Sequence, residues 1–585
     1  MGAPFNKAKG EREKKEISIS QFSGVNVQAK RYSIKDTEFS WLENVMPVGD
    51  GNLQVCPIAS AALSTLPGQT VSSSYAFNIM GTDYIAAFTS SGTLFVAPNP
   101  FSSFTQYGNV GQFSASGVTA AQWKNERLLI GDPANGYFSW DNNAGIISSG
   151  GVAYVAITAG GSGYSNSFSV TFTGGGGSGA QGTAIAVNGV VTSVTITNPG
   201  NNYTSAPTPV FSAGGGSSAA GTANLMAGPS KCTSIATFSG RVWVGYQRTI
   251  SYTDISQANN FYSFAGGSSG SLTISDSTLH DYITSLIAAN NFLYIFGDDS
   301  IDVIGDVQVV SGSTTFTRTN ITASIGTNQM YSVFSYYRSL MFAGNVGFYS
   351  LPGAVPEKLS DNLDTFYAQI NFATPISGGQ VSVNNTLCAA FLCSFNDIFT
   401  GSNSSRNIIA LYFNKKWWFS SQGPTINLII SATINGSPFL YGWAGGTLYQ
   451  LFSNSSTSVN TRIQTKLYDG KAPVMDKASL KFGIGITFGT AGNQAINVTI
   501  DNEKTTMPVF TNLGNTLQWI NNSGSNIYFT NNSGNPLTWI TAGYAFDYRD
   551  AAISGGKYLG VTVYGNSLPY TVNQILIEYE EGARW

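Results

Sequence analysis

The chain has 585 residues, of which 42% are hydrophobic and 13% aromatic, while only 10% are charged. That length and apolar content allow several domains with a large core, and the charge is well under the usual quarter. With 28 Lys and Arg against 31 Asp and Glu, the balance excludes a tight grip on nucleic acid through a broad basic face.

Gly, Ser, Thr and Asn carry the polarity instead, and with so many aromatics this is the profile of an all-β protein with tight turns. A lone soluble domain usually needs more charge, so the composition fits a surface largely covered in an oligomer. The four cysteines, Cys56, Cys232, Cys388 and Cys393, have no CxxC spacing, and His280 is the one histidine, which speaks against a zinc site and a disulfide framework. Cys388 and Cys393 sit in an apolar run and are expected as buried thiols. The opening MGAPFNKAKGEREKKE has no apolar secretory segment, Asn6 stands where myristoylation wants Ser or Thr, and no run reaches the length of a membrane span.

Residues 1–16 alternate basic residues with Glu and read as a solvated, flexible arm. Residues 17–58 predict a strand, a Gly24-Val25-Asn26 turn, a short helix-like piece near Asp36–Asn44 with Asp36 as its cap, and a turn at Gly49-Asp50-Gly51. Residues 75–99 and 118–142 each read as strand, turn, strand, turn, strand over about 25 residues. A fourth, edge strand would complete a propeller blade.

Residues 151–228 interrupt this pattern with a Gly-rich internal repeat at a spacing of 39. Ile157 matches Ile196, Tyr164 matches Tyr203, Phe172 matches Phe211, and Gly182-Thr183-Ala184 matches Gly221-Thr222-Ala223. Alternation within it predicts short strands, hence a small two-lobed β module inserted in a propeller loop. Tyr164 and Tyr203 are its candidate contacts to partner proteins or cell-surface glycans; the alternative is a projecting decoration with no ligand.

Blade-like units resume at 229. The stretch Asp281–Asp306 holds three runs, Tyr282–Ala288, Phe292–Phe296 and Ser300–Ile304, divided by turn formers at Asn290-Asn291 and Gly297-Asp298-Asp299. Similar units follow at 329–353, 382–423 and 428–452. Counting gives a β-propeller of six to eight blades. Residues 460–585 differ: GNTLQWI, GSNIYFT and GNPLTWI recur with a period of about ten from 514 to 540, and read as a hairpin stack or β-arch. Trp519 and Trp539 are its candidate exposed contacts. Domains are therefore expected at 1–16 (arm), 17–70 (N-terminal platform segment), 71–150 with 229–459 (propeller), 151–228 (insert) and 460–585 (C-terminal β domain).

Several stretches resemble one family. Gly24-Val25-Asn26, Glu38, Leu42-Glu43-Asn44-Val45, Gly51-Asn52-Leu53 and Pro57 resemble the opening of the tail nozzle or hub proteins of short-tailed bacteriophages, the tail tubular protein B-like, packaged-DNA-stabilisation-like proteins. Such openings usually carry Arg where this chain has Cys56. Arg241, Trp243, Ile250, Tyr252, Asp254, Asn260 and Phe261 resemble that family's blade signature, as does the Phe296–Ile301 turn. The Glu-Gly-Ala-Arg-Trp ending is similar to many of its C termini. The Gly-rich insert resembles repeats scattered through phage tail and adhesin proteins. The resemblance implies a β-sandwich-like platform built from both terminal regions. It also implies a virion tail ring of six copies, assembled in the host cytoplasm. Its implied partners are an adaptor ring below the portal, tail fibres or spikes, the host envelope, and double-stranded DNA that passes through the lumen without specific binding.

No catalytic constellation is legible. His280 precedes Asp281, but no Ser sits in a nucleophile elbow. Adjacent acidic pairs such as Asp298-Asp299 point to opposite faces of a strand, unlike glycosidase carboxylates. The Gly-rich runs lack the Lys-Ser/Thr and helix of a phosphate loop. No cofactor or metal ligand set is expected. The leading expectation is a structural, non-enzymatic tail conduit. The alternative is a tail-associated carbohydrate-binding or depolymerising propeller, with Trp417-Trp418, Trp519 and Trp539 as aromatic platforms.

Overall fold

The computed structural model describes residues 13–582 except 144, 148–150, 202, 204, 226–227, 260, 262–267, 276–281, 489–492 and scattered positions within 511–542. The fold is almost entirely β. Its turns fall where Gly and Asn permit a left-handed backbone: Asn290 and Asn291 (φ 50° and 65°), Asn384 and Asn385 (48° and 62°), and Asn435 with Gly436 (50° and 79°). Two such residues in succession make the turn whose twist matches a tight antiparallel hairpin.

Among the described residues, six four-stranded antiparallel sheets and the first four strands of a ten-stranded sheet stand around one axis. Their inner strands are Val71–Ile79, Thr119–Trp123, Ser234–Phe238, Ser285–Ala289, Phe334–Tyr336, Ser377–Val383 and Leu428–Ile434. Apolar side chains fill the gap between each sheet and the next. Phe77, Tyr84 and Trp140 lie between the first and second, Trp123 and Val242 between the second and third, and Trp243 and Leu293 between the third and fourth. Phe296 and Phe342 lie between the fourth and fifth, and Trp443 with Ile85 between the seventh and first. The sixth shares the largest cluster with both its neighbours and the platform. The protein is a β-propeller.

The seventh blade takes its outer strand, Ser64–Thr65, from the N-terminal region, paired with Thr447–Gln450. The sixth blade does not end at its fourth strand. Its sheet runs on from Lys416–Ser420 through Phe39–Glu43, Val459–Thr465, Gly560–Ser567 and Asn493–Asp501 to Thr506–Phe510. A second sheet joins Lys14–Ile19, Val45–Val48 and Asn52–Val55 to Tyr570–Glu581, Lys477–Phe488 and Gly543–Gly556. The two sheets share a core that includes Phe482, Ile484, Val498, Val563, Val572 and Ile577. This platform is one physical unit with the sixth blade, because backbone hydrogen bonds cross the boundary.

The helix expected near Asp36–Asn44 is instead the strand Phe39–Glu43. Phe39, Trp41 and Leu42 are buried, and the strand has ladder partners on both sides, Lys416–Ser420 and Val459–Thr465. That tertiary pairing outweighs the local helix signal. Asp36 is no cap; its carboxylate takes an ion pair from Lys466 at 2.7 Å.

In the insert, the duplication is interlocked. The first copy supplies Val152–Ser162, Ser167–Thr173 and Ser178–Val187, the second Val190–Asn201, Thr208–Val210 and Ser217–Leu225. The third strand of each copy pairs with the first strand of the other, and the two middle strands pair together at Thr171 and Val210. The ten-residue repeats at 516–540 are likewise closed rather than stacked. Trp519 stands opposite Ile527, Phe529 opposite Leu537, and Trp539 returns to Leu517. Each unit splits its pairing between two neighbours, which a linear hairpin stack cannot do.

Candidate functional sites

The inner strands enclose a channel of roughly 400 Å³. Among the described residues no charged side chain lines it; its polar side chains are those of Ser74, Tyr75, Thr119, Ser234, Thr237, Ser285, Tyr331 and Ser431. A cavity of this size is far too small for a DNA duplex. Tyr331 lines both this channel and a cleft at the loop end. Its hydroxyl donates to the carbonyl of Val118 at 3.4 Å, and burial pushes its pKa up to about 12. Gly117 must be glycine here: a Cβ would lie 2.5 Å from the Tyr331 hydroxyl, and its φ is 103°.

The residues singled out as surface contacts fall elsewhere. Tyr164 and Tyr203 are buried, at 7% and 5% exposure. The Tyr164 hydroxyl accepts the amide of Ala219 at 3.1 Å, and the Tyr203 hydroxyl accepts that of Ala180 at 3.3 Å. Those alanines are equivalent positions of the two copies, so each tyrosine pins the other copy's third strand. They are internal struts rather than contacts to fibres or glycans. Trp417 and Trp418 are also buried, with Trp417 stacked on Phe348 and donating its indole N–H to the Leu359 carbonyl at 2.9 Å; neither offers a sugar platform. The side chains of Trp519 and Trp539, and all of His280 and Asp281, lie outside the described residues.

The stretches that suggested a family come together at one seam. Asn26 donates to the buried carboxylate of Glu38 at 2.8 Å. Val25 donates its amide to Trp417, and a Cβ at Gly24 (φ 93°) would press on the Trp417 backbone. Asn44, left-handed at φ 58°, joins three segments. Its Oδ1 accepts the Ser420 hydroxyl (2.7 Å) and the Ser421 amide (3.0 Å), while its Nδ2 donates to Ser421 Oγ (3.0 Å) and the Asn460 carbonyl (2.6 Å). In the third blade, Arg241 is buried and donates to the Thr253 and Ser268 carbonyls at 2.6 and 3.1 Å. That role is structural.

Beside this seam lies a polar cleft of about 430 Å³. The Arg406 guanidinium makes a two-pronged ion pair with Glu43 (2.7 and 2.8 Å) and a third bond to Asp397 at 2.7 Å. Trp41 donates to Glu43 as well, at 2.9 Å. Asp397 also accepts the amides of Phe399 and Thr400 at 3.0 Å and the Thr400 hydroxyl at 2.5 Å. Burial pushes its pKa up, but these bonds and Arg406 outweigh it and hold the carboxyl below its ordinary range. Sequence reasoning missed this network, because Glu43 and Arg406 lie 363 residues apart. Among the described residues there is no group of three or more His, Cys, Asp or Glu placed to hold a metal ion, and no helix is long and apolar enough to cross a membrane.

No protein-family model and no curated protein matches the chain. Among solved structures, a crystal structure of BBS1N in complex with ARL6DN, soaked with mercury, is similar at 8% identity over 68% of this chain and 95% of that one, with a TM-score of 0.30.

Proposed function

We propose that the protein is a structural ring component of a short phage tail, a nozzle or hub whose assembled lumen retains packaged double-stranded DNA and conducts it at ejection. The observation that supports this reading best is the seam. Of the residues resembling nozzle-protein openings, Glu43 and Asn44 weld the sixth blade to the platform, while Asn26 and Glu38 bond to each other beside that joint. They form one mechanical joint rather than a reactive site. In this reading the duplex passes between copies, since the propeller's own channel is too narrow. A wall with little net charge suits that task, because basic residues would bind phosphate by counterion release and slow the passage.

The partners in this reading are further copies of the chain in a ring of six, an adaptor ring below the portal, fibres or spikes, and the host envelope, with the virion tail as its location. It includes no catalytic step and no cofactor. Mass photometry of the purified protein, alone and with an adaptor ring, tests it: a discrete multimer of several copies is expected. A monomer at all concentrations, with or without the adaptor, would overturn the reading.

A further inference from the structure

The seam cleft contains a cation that the fold leaves unused. Arg462 stands opposite Glu43 on one side and Tyr564 on the other, yet its side chain makes no hydrogen bond or ion pair with any described residue, and its Nε is shielded from solvent without a partner. A shielded donor left unpaired destabilises the fold, and such groups in folded proteins call for an explanation. Glu43 is bonded to Arg406 and Trp41 and makes no hydrogen bond to Arg462. All four acceptor sites of Asp397 are occupied by Thr400, Phe399 and Arg406. The carboxylates of this cleft are therefore engaged with other donors, while the Arg462 donors stay open.

The neighbours of Arg462 are set by strand register. Asn460 and Arg462 alternate along one strand, Asn566 and Tyr564 along the next, and they oppose each other as Asn460–Asn566 and Arg462–Tyr564. All four therefore share one face of the sheet and line the cleft. Tyr564 is 42% exposed, an aromatic face beside an open guanidinium and two side-chain amides. The Glu43–Asp397–Arg406 cluster carries one excess negative charge, so the cleft with Arg462 has no surplus of positive charge. A phosphate, which favours several cations, is poorly matched.

We infer that this cleft binds a carboxylated sugar unit, a hexuronate or sialate. Arg462 takes the carboxylate, a geometry for which guanidinium is suited, Tyr564 packs on the ring, and Asn460 and Asn566 meet the hydroxyls. The inference rests on the cleft alone and stands whether or not the chain forms a tail ring.

Saturation-transfer NMR and calorimetry on the full chain, with N-acetylneuraminate, glucuronate, neutral N-acetylglucosamine and inorganic phosphate as separate probes, test it. One of the two carboxylated sugars is expected to bind with a Kd of about 1 mM or tighter, and the neutral sugar and phosphate at least about tenfold more weakly. Arg462→Gln is expected to weaken the carboxylated sugar about tenfold or more. Tyr564→Phe should retain it and Tyr564→Ala should lose it, with the thermal unfolding of each variant unchanged. Absence of binding by both acidic sugars, binding untouched by Arg462→Gln, or phosphate binding equally well would each overturn the inference. If Arg462→Gln unfolds the seam, Tyr564→Ala and the probe ranking on the unaltered chain still decide it.

Discussion

Lys14, in the first described strand, stands directly opposite Glu580 in the last. The pairing continues through Ile17–Ile577 to Ile19–Ile575, and both isoleucines of the first strand are buried. The two terminal regions thus close one sheet. Ile17→Ala with Ile19→Ala is expected to destabilise the platform by about 4 kcal/mol or more. Denaturant unfolding followed by limited proteolysis should show cleavage beginning in 459–581 while the blades stay resistant. Cleavage beginning in the blades would contradict the closure.

Asn44→Ala tests the weld between blade and platform. It leaves the Ser420 hydroxyl and the Asn460 carbonyl without their partner and puts a Cβ residue of lower tolerance at φ 58°. A loss of about 2–4 kcal/mol is expected. Asn44→Gly keeps the backbone conformation and loses only the bonds, so it should fall between the two. Equal stability of all three by chemical denaturation would show that the joint is held by packing alone.

The interlocked insert makes a symmetric prediction. Tyr164→Phe and Tyr203→Phe each remove one acceptor from an equivalent amide, and each should cost about 1 kcal/mol. Hydrogen exchange should speed up at Ala219 in the first variant and at Ala180 in the second. Faster exchange within the mutated copy's own third strand instead would contradict the reciprocal pairing.

The Asp397 carboxyl is held below its ordinary value of 3.8 by Thr400 and Arg406 despite its burial. A carboxylate with a depressed folded-state pKa stabilises the fold above its unfolded value and loses that contribution as pH falls through the folded one. The chain should therefore lose stability below about pH 4. Asp397→Asn should be less stable at neutral pH and show a shallower acid limb. Thermal melts between neutral pH and pH 3 check both. An acid limb of unchanged slope would show that other carboxylates carry it.

Much of the propeller was legible because turn chemistry is local. Asn290-Asn291 and Gly297-Asp298-Asp299 mark hairpins by their own backbone preferences, and alternation in Phe292–Phe296 marks the strand between them. The repeat at a spacing of 39 was legible for the same reason. What local pattern could not show was pairing over distance. Ser64–Thr65 completes a blade almost 400 residues later, and Phe39–Glu43 becomes a strand only because Thr465 and Phe419 flank it. Tyr164 and Tyr203 looked like exposed contacts because aromatic residues between glycines resemble a loop surface. Their burial depends on the other copy. Arg462 and Tyr564 gave no signal at all, and Glu43 entered only through the resemblance, since three separate strands bring them together.

The central claim is that the chain works as a ring with its lumen between copies. Cryo-electron microscopy of the assembled protein, or of a tail that contains it, tests this most directly. The account predicts a closed ring of several copies with a central opening wide enough for a DNA duplex, and the narrow propeller channels set around that opening. A monomeric particle, or a ring closed at its centre with no opening for a duplex, would contradict it.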